Sequence, residues 1–185
     1  MKHRLLRAIA VAMTVALVVL ALRDQLDRNT PAGGEPAPAG PERVTVQSTS
    51  DGDTVRLDDG RKVRLVQIDA PERGECFYEE SRSILVRLAP RGSTVELVAD
   101  PDLDDRDEHG RLLRYLVLAG GGNANIEAVR QGAAVPYFFR KERGAHARDL
   151  EAAREQAQDA RRGLWAACPE AQVDPYRGSL TGPAR

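Results

Sequence analysis

Residues 54–69, "TVRLDDGRKVRLVQID", place more constraint on the fold than any other stretch of the chain. Two runs with alternating apolar residues, Thr54–Leu57 and Lys62–Ile68, flank Asp59-Gly60. An Asp-Gly pair between alternating runs is a strong short-range signal for a β-hairpin, because both central turn residues need a positive φ. A hairpin is not stable alone, so further strands must be found. Alternation from Val44 to Ser50, "STVELVA", "RLLRYLVL" and the extended "AAVPYFF" supply them. Helical spacing interrupts the strands three times. Phe77, Ser81, Ile84, Leu85 and Leu88 share one face of a helix stopped by Pro90 and Gly92. "IEAVRQG" reads as a short helix capped by Asn125 and ended by Gly132. The third runs through "GAHARDLEAAREQAQDARRGLW", with Leu150, Ala153, Ala157 and Ala160 on one face. Antiparallel hairpins with a few interrupting helices predict an α+β domain centred on a small barrel.

The 185 residues allow one such domain plus appendages. Residues 1–22 carry a basic start and an apolar run from Ala8 to Leu22, which fits a signal peptide or a signal anchor. Arg23 follows where a small-residue cleavage site would be expected, which favours an uncleaved anchor with the domain outside. Either way the expectation is export, with membrane attachment through this segment if it stays uncleaved. Residues 23–42 are rich in Pro, Ala and Gly and read as a disordered linker, and residues 170–185 as a disordered tail. The folded domain is expected over 43–169. Cys76 and Cys168 are the only cysteines, and an even number in an exported chain predicts a disulfide between them; two free buried thiols are the alternative.

A cluster of charge then needs explaining. Asp53 starts one hairpin strand and Asp69 ends the other, so the two carboxylates approach across the ladder. Like charges so placed need a cation or water, and Ca²⁺ takes carboxylate and carbonyl oxygens. Asp51, Gly52 and Asp53 suit a simple turn equally well. Arg64 and Arg111 are the cationic candidates for gripping a phosphate. Arg64 lies five residues before Asp69, which sets them on opposite pleat faces unless the strand bends or bulges between them. The acidic loop from Asp100 to Glu108 fails as an EF-hand, since Asp105 replaces the loop glycine and Arg111 the final glutamate. It reads as a solvated loop.

"DGDTVRL", "RLVQIDAPE", "HGRLLRYL", "EAVRQGAA" and "RRGLW" occur in an order that resembles the staphylococcal nuclease-like (thermonuclease) family across residues 44–166. The resemblance implies an OB-fold barrel of five strands with three helices and a Ca²⁺-dependent phosphodiesterase site. By position it makes Asp53 and Asp69 calcium-binding carboxylates, Ala70 a backbone-carbonyl ligand, Arg64 and Arg111 phosphate clamps, and Glu72 the general base. It implies a monomeric nuclease acting on single-stranded DNA or RNA at the 5′ P–O bond to leave 3′-phosphates. His109 stands where the family has a tyrosine, and is a candidate substrate contact or merely a solvated loop residue. Tyr137 in "PYFF" is the best candidate for stacking a base, while Phe138 and Phe139 suit barrel packing as well. Residues 43–170 hold 20 Lys and Arg against 23 Asp and Glu, a net of −3. That balance argues against strong non-specific nucleic-acid binding. It leaves a catalytically weak or inactive OB-fold binding module as the alternative to a nuclease.

Overall fold

The computed structural model describes residues 41–176 and the backbone of 178–180. The leader expected over 1–22 and nearly all of the linker expected over 23–42 lie outside the described residues. Five strands close a barrel: β1 (Glu42–Thr49), β2 (Thr54–Leu57), β3 (Lys62–Leu65), β5 (Thr94–Val98) and β6 (Leu112–Leu118). A two-residue strand, β4 (Ile68–Asp69), follows β3 and pairs outside the barrel with β7 (Val135–Pro136). The β2–β3 hairpin forms where its pattern predicts, with Val55 opposite Val63, but in the turn Gly60 takes a positive φ of 88° and Asp59 does not. Strand β1 pairs with both β2 and β5, and a register shift between Val46 and Ser48 bends it around the barrel. Closure is completed by the parallel pairing of β3 with β6.

Inward residues at every second position fill the barrel. Val55, Leu57, Val63, Leu65 and Leu116 are fully buried. Helix α1 (Tyr78–Leu88) covers this core with Ser81, Ile84 and Leu85, and Ser81 Oγ donates to the Ala133 carbonyl at 2.6 Å. Helix α2 (Ala124–Arg130) is capped by Asn123, not by Asn125: the Asn123 side chain accepts from the Asn125 and Ile126 amides. Asn125 instead points inward. It is fully buried, donates to the Val66 and Arg114 carbonyls and accepts from the Leu116 amide.

Helix α3 (Ala147–Asp159) buries Ala147, Leu150, Ala153 and Ala157. It ends earlier than expected, leaving Ala160 exposed, because Arg161 (φ 47°) and Gly163 (φ 57°) break the helical path. A short helix, α4 (Leu164–Ala167), follows. A Cβ on Gly132 would lie 2.2 Å from the Arg162 carbonyl oxygen, so this residue suits the close approach of the two segments as well as the α2 terminus. Part of the tail expected as disordered is ordered: β8 (Gln172–Asp174) pairs antiparallel with β9 (Gly178–Leu180). Its anchors are local. Ala171 and Val173 pack beside Leu164 and Cys168, and the Phe138 amide donates to the Pro175 carbonyl at 2.6 Å. No helix among the described residues is long and apolar enough to cross a membrane.

Cys76 and Cys168 form the expected disulfide across 92 residues. Closing so long a loop removes conformational freedom mainly from the unfolded chain. Reduction should therefore cost about 4 kcal/mol of stability. Urea unfolding of the full chain with and without reductant measures this, and coincident midpoints would contradict it.

Candidate active site

The conflict over Arg64 and Asp69 is resolved by a break in the strand. Strand β3 ends at Leu65, Val66 and Gln67 form a turn with Gln67 at φ 62°, and β4 then runs through Ile68 and Asp69. The turn brings the Asp69 side chain back to the face that carries Arg64. Arg64 Nη2 donates to Asp69 Oδ1 at 2.9 Å and Nη1 to the Ile68 carbonyl at 2.9 Å. Three residues hold the turn from outside. The Asn125 amide donates to the Val66 carbonyl at 2.8 Å, the Tyr137 N–H to the Gln67 carbonyl at 2.9 Å, and Val66 N–H to the Arg114 carbonyl at 3.0 Å.

Asp53 reaches the same guanidinium from the bend just before β2. Its Oδ2 lies 3.2 Å from Arg64 Nη2 and accepts from the Ala70 amide at 3.3 Å. Its Oδ1 accepts from Thr54 Oγ1 at 2.9 Å, and that hydroxyl in turn accepts from Arg111 Nη1 at 3.3 Å. Arg111 is oriented from its other side by Asp107, with Nε donating to Oδ2 at 2.6 Å and its amide to Oδ1 at 2.9 Å. One chain of hydrogen bonds, with an ion pair between Asp53 and Arg64, thus runs Asp107–Arg111–Thr54–Asp53–Arg64–Asp69. Asp53 is set up by the preceding turn, in which its amide donates to Asp51 Oδ1 at 3.1 Å. Gly52 lies against α1 and the β4 exit: a Cβ there would fall 1.9 Å from Ser81 Oγ and 2.6 Å from the Ala70 Cβ.

Burial would by itself pull the Arg64 guanidinium towards neutrality, but Asp53, Asp69 and Asp51 outweigh it and hold its pKa above the ordinary value. One arginine does not neutralise the whole group. Burial first, and Asp53 next, push the Asp51 carboxyl up to about 6. Glu72 is also raised, by partial burial and then by the charges of Asp53, Asp69 and Glu75, with Arg64 opposing them. For Asp107, hydrogen bonds from Arg111 overcome the burial that would raise it and bring its pKa below the usual carboxylate range.

A cleft of about 330 Å³ opens beside this chain, and Arg64, Arg111, Tyr137 and His109 all line it. Tyr137 is half-buried, with its ring centroid 6.0 Å from the Arg64 guanidinium. Phe138 is fully buried in the core and Phe139 is 54% exposed at the cleft wall. His109 is exposed at the cleft rim beside Glu108. Glu72 stands in the exposed turn after Pro71, where its amide donates to Glu75 Oε2 at 2.7 Å. Cys76 lies four residues farther on, so the disulfide anchors the end of the Glu72 turn. Spacing alone missed Thr54, Asp107 and Gln67. The acidic loop is also less solvated than its composition suggests: Asp100 is buried against Tyr115, Asp105 pairs with Arg114, and Asp107 with Arg111. An aspartate four residues before a site arginine was the available clue.

No group of three or more His, Cys, Asp or Glu among the described residues is arranged to hold a metal ion. The donors on offer are the Asp53 and Asp69 carboxylates and the Ala70 carbonyl, which would need water or phosphate oxygens to complete a shell. The all-oxygen set suits a hard cation such as Ca²⁺. Burial first, and neighbouring carboxylates next, raise Asp51 and Glu72, a setting in which added positive charge would be favourable.

The model of the staphylococcal nuclease homologue family matches residues 62–167, more than half of the chain. The chain belongs to that family. It is also similar to two curated endonucleases. It is 29% identical over 121 residues to Endonuclease YhcR of Bacillus subtilis, a match covering 57% of this chain and 10% of that protein. It is 35% identical over 133 residues to an uncharacterized endonuclease of Haemophilus influenzae, covering 65% of each. The chain therefore spans less than two thirds of the length of either relative.

Gly52→Ala should separate the Asp53 turn from Ala70 and lower stability by about 1–3 kcal/mol, the usual cost of overpacking a tight site. Thermal unfolding monitored by circular dichroism checks this; an unchanged midpoint would show that the turn relaxes freely.

Proposed function

We propose that this domain is a nuclease that hydrolyses phosphodiester bonds of DNA or RNA with the help of Ca²⁺. The carrying observation is the chain of hydrogen bonds and one ion pair that sets two arginines and three carboxylates beside a cleft, in a member of a nuclease family. In this reading Arg64 and Arg111 hold the phosphate and stabilise the charge that grows on it, Arg111 being aimed by Asp107 and Thr54. Asp53, Asp69 and the Ala70 carbonyl would hold the cation. When bound, it would polarise a non-bridging phosphate oxygen. Glu72 takes the proton of the attacking water, and its raised pKa brings it closer to the working range of a general base. Tyr137 offers a face for a base, and His109 a polar contact at the rim. Attack with loss of the 5′ oxygen leaves a 3′-phosphate.

The same reading places the protein outside the cytoplasm, anchored or secreted and acting as a monomer. The apolar run at 8–22 and a disulfide, which persists in oxidising compartments, support export.

Digestion of single-stranded DNA by the full chain should occur with Ca²⁺ and cease on chelation. Glu72→Gln should lower kcat by about 10²–10⁴-fold, the usual contribution of a general base, with circular dichroism unchanged. Retained binding without cleavage by the wild-type protein would instead identify a binding module.

A further inference from the structure

Tyr176 lies beyond residue 167, where the family match ends, yet it packs on Phe138, which stands between the cleft residues Tyr137 and Phe139. The Phe138 amide bonds to the Pro175 carbonyl, the Tyr176 amide to Asp174 Oδ1 at 2.8 Å, and the Tyr176 ring packs 6.2 Å from that of Phe138. The ring remains 44% exposed, one of three large exposed apolar side chains among the described residues; Phe139 is another.

The segment that joins the cleft to this ring is unusual. Arg140 and Lys141 both have positive φ, 52° and 66°, a conformation that costs energy in consecutive non-glycine residues. It is held by the Lys141 and Glu142 amides, which donate to the Phe138 and Phe139 carbonyls at 3.0 Å each, and by Gln67 Nε2 on the Glu142 carbonyl at 3.0 Å. The result sets cations beside ring faces. The Arg140 guanidinium lies 5.0 Å from the Phe139 centroid and Lys141 Nζ 6.0 Å from that of Tyr176. Neither cation forms an ion pair among the described residues, whereas the neighbouring Arg143 is paired with Glu151. The cleft is also lined by Asp104, Asp107 and Glu108, of which Asp107 is paired with Arg111. The unpaired charges of Arg140 and Lys141 attract a polyanion that enters the cleft.

We propose that Tyr176 and Lys141 form an accessory subsite for single-stranded nucleic acid, in which an unpaired base flanking the bound phosphate stacks on the Tyr176 ring and Lys141 meets the adjoining phosphate. An exposed aromatic face with an interleaved cation is the combination that single-strand binders use. The inference rests on the nuclease reading for its substrate class. It assigns to the C-terminal hairpin a role in holding longer strands.

Fluorescence anisotropy with labelled oligothymidine of twelve and of two nucleotides tests it on the full chain, in chelator so that no cleavage occurs. The ratio of the two affinities should fall about tenfold in Tyr176→Ala, as expected for loss of one stacked base, and fall in Lys141→Ala. Tyr176→Phe should preserve it, because the ring face remains; a purely structural loss would not respect this distinction between lengths. An unchanged ratio in Tyr176→Ala overturns the subsite even if the protein cleaves DNA. Absence of cleavage after Ca²⁺ is restored counts against the nuclease reading, while the affinity ratio still decides the subsite.

Discussion

The site is organised around one guanidinium that is mostly shielded from solvent at the edge of the cleft. Arg64 reaches from the end of a barrel strand to Asp53 on its hairpin partner and to Asp69 beyond the break in its own strand. Little of the group meets solvent, so those carboxylates supply most of the compensation for its charge, and loss of either side would leave charge unpaired. The local backbone follows from that mutual dependence. The Val66–Gln67 turn, the close approach of Gly52 to Ala70 and the inward amide of Asn125 all serve to keep three charges in register.

Arg111 is held differently. It sits nearer the surface, and its direction is set by Asp107 in front and Thr54 behind. Thr54 matters because it is the single hydroxyl that joins the two arginine sites, through Asp53. Charge placed on either arginine is therefore felt through a run of hydrogen bonds and the Asp53–Arg64 ion pair. The barrel supplies rigidity for this arrangement, since Arg64, Thr54 and Arg111 belong to or border neighbouring strands whose apolar partners are fully buried.

Much of this was legible in the sequence where a local rule was strong. The Asp-Gly turn and its flanking alternation specified β2 and β3 closely, and period-2 runs located β5 and β6. The family-like motifs named Arg64, Asp69 and Arg111, and strand geometry itself demanded the bend that Gln67 supplies. Local rules failed where two similar residues competed. Asn123 and Asn125 both suit a cap, and only the barrel's need to satisfy the Val66 and Arg114 carbonyls decides which one turns inward. The roles of Thr54 and Asp107 depend on proximity between strands, which no single stretch encodes. The C-terminal hairpin was hidden for another reason. Its polar, Pro- and Gly-containing residues look disordered until Pro175 finds the Phe138 amide.

The disulfide has a consequence for covalent integrity. Residues 76 and 168 enclose α1, β5, β6, α2, β7, α3 and α4 in one covalent ring. A peptide bond cut anywhere between them leaves both pieces joined, and the fragment that carries Asp53, Arg64, Asp69 and Glu72 still holds the C-terminal segment with Tyr176. In surroundings rich in proteases, a nicked molecule would stay a single molecule, with the acidic and aromatic residues of its cleft kept within reach of each other.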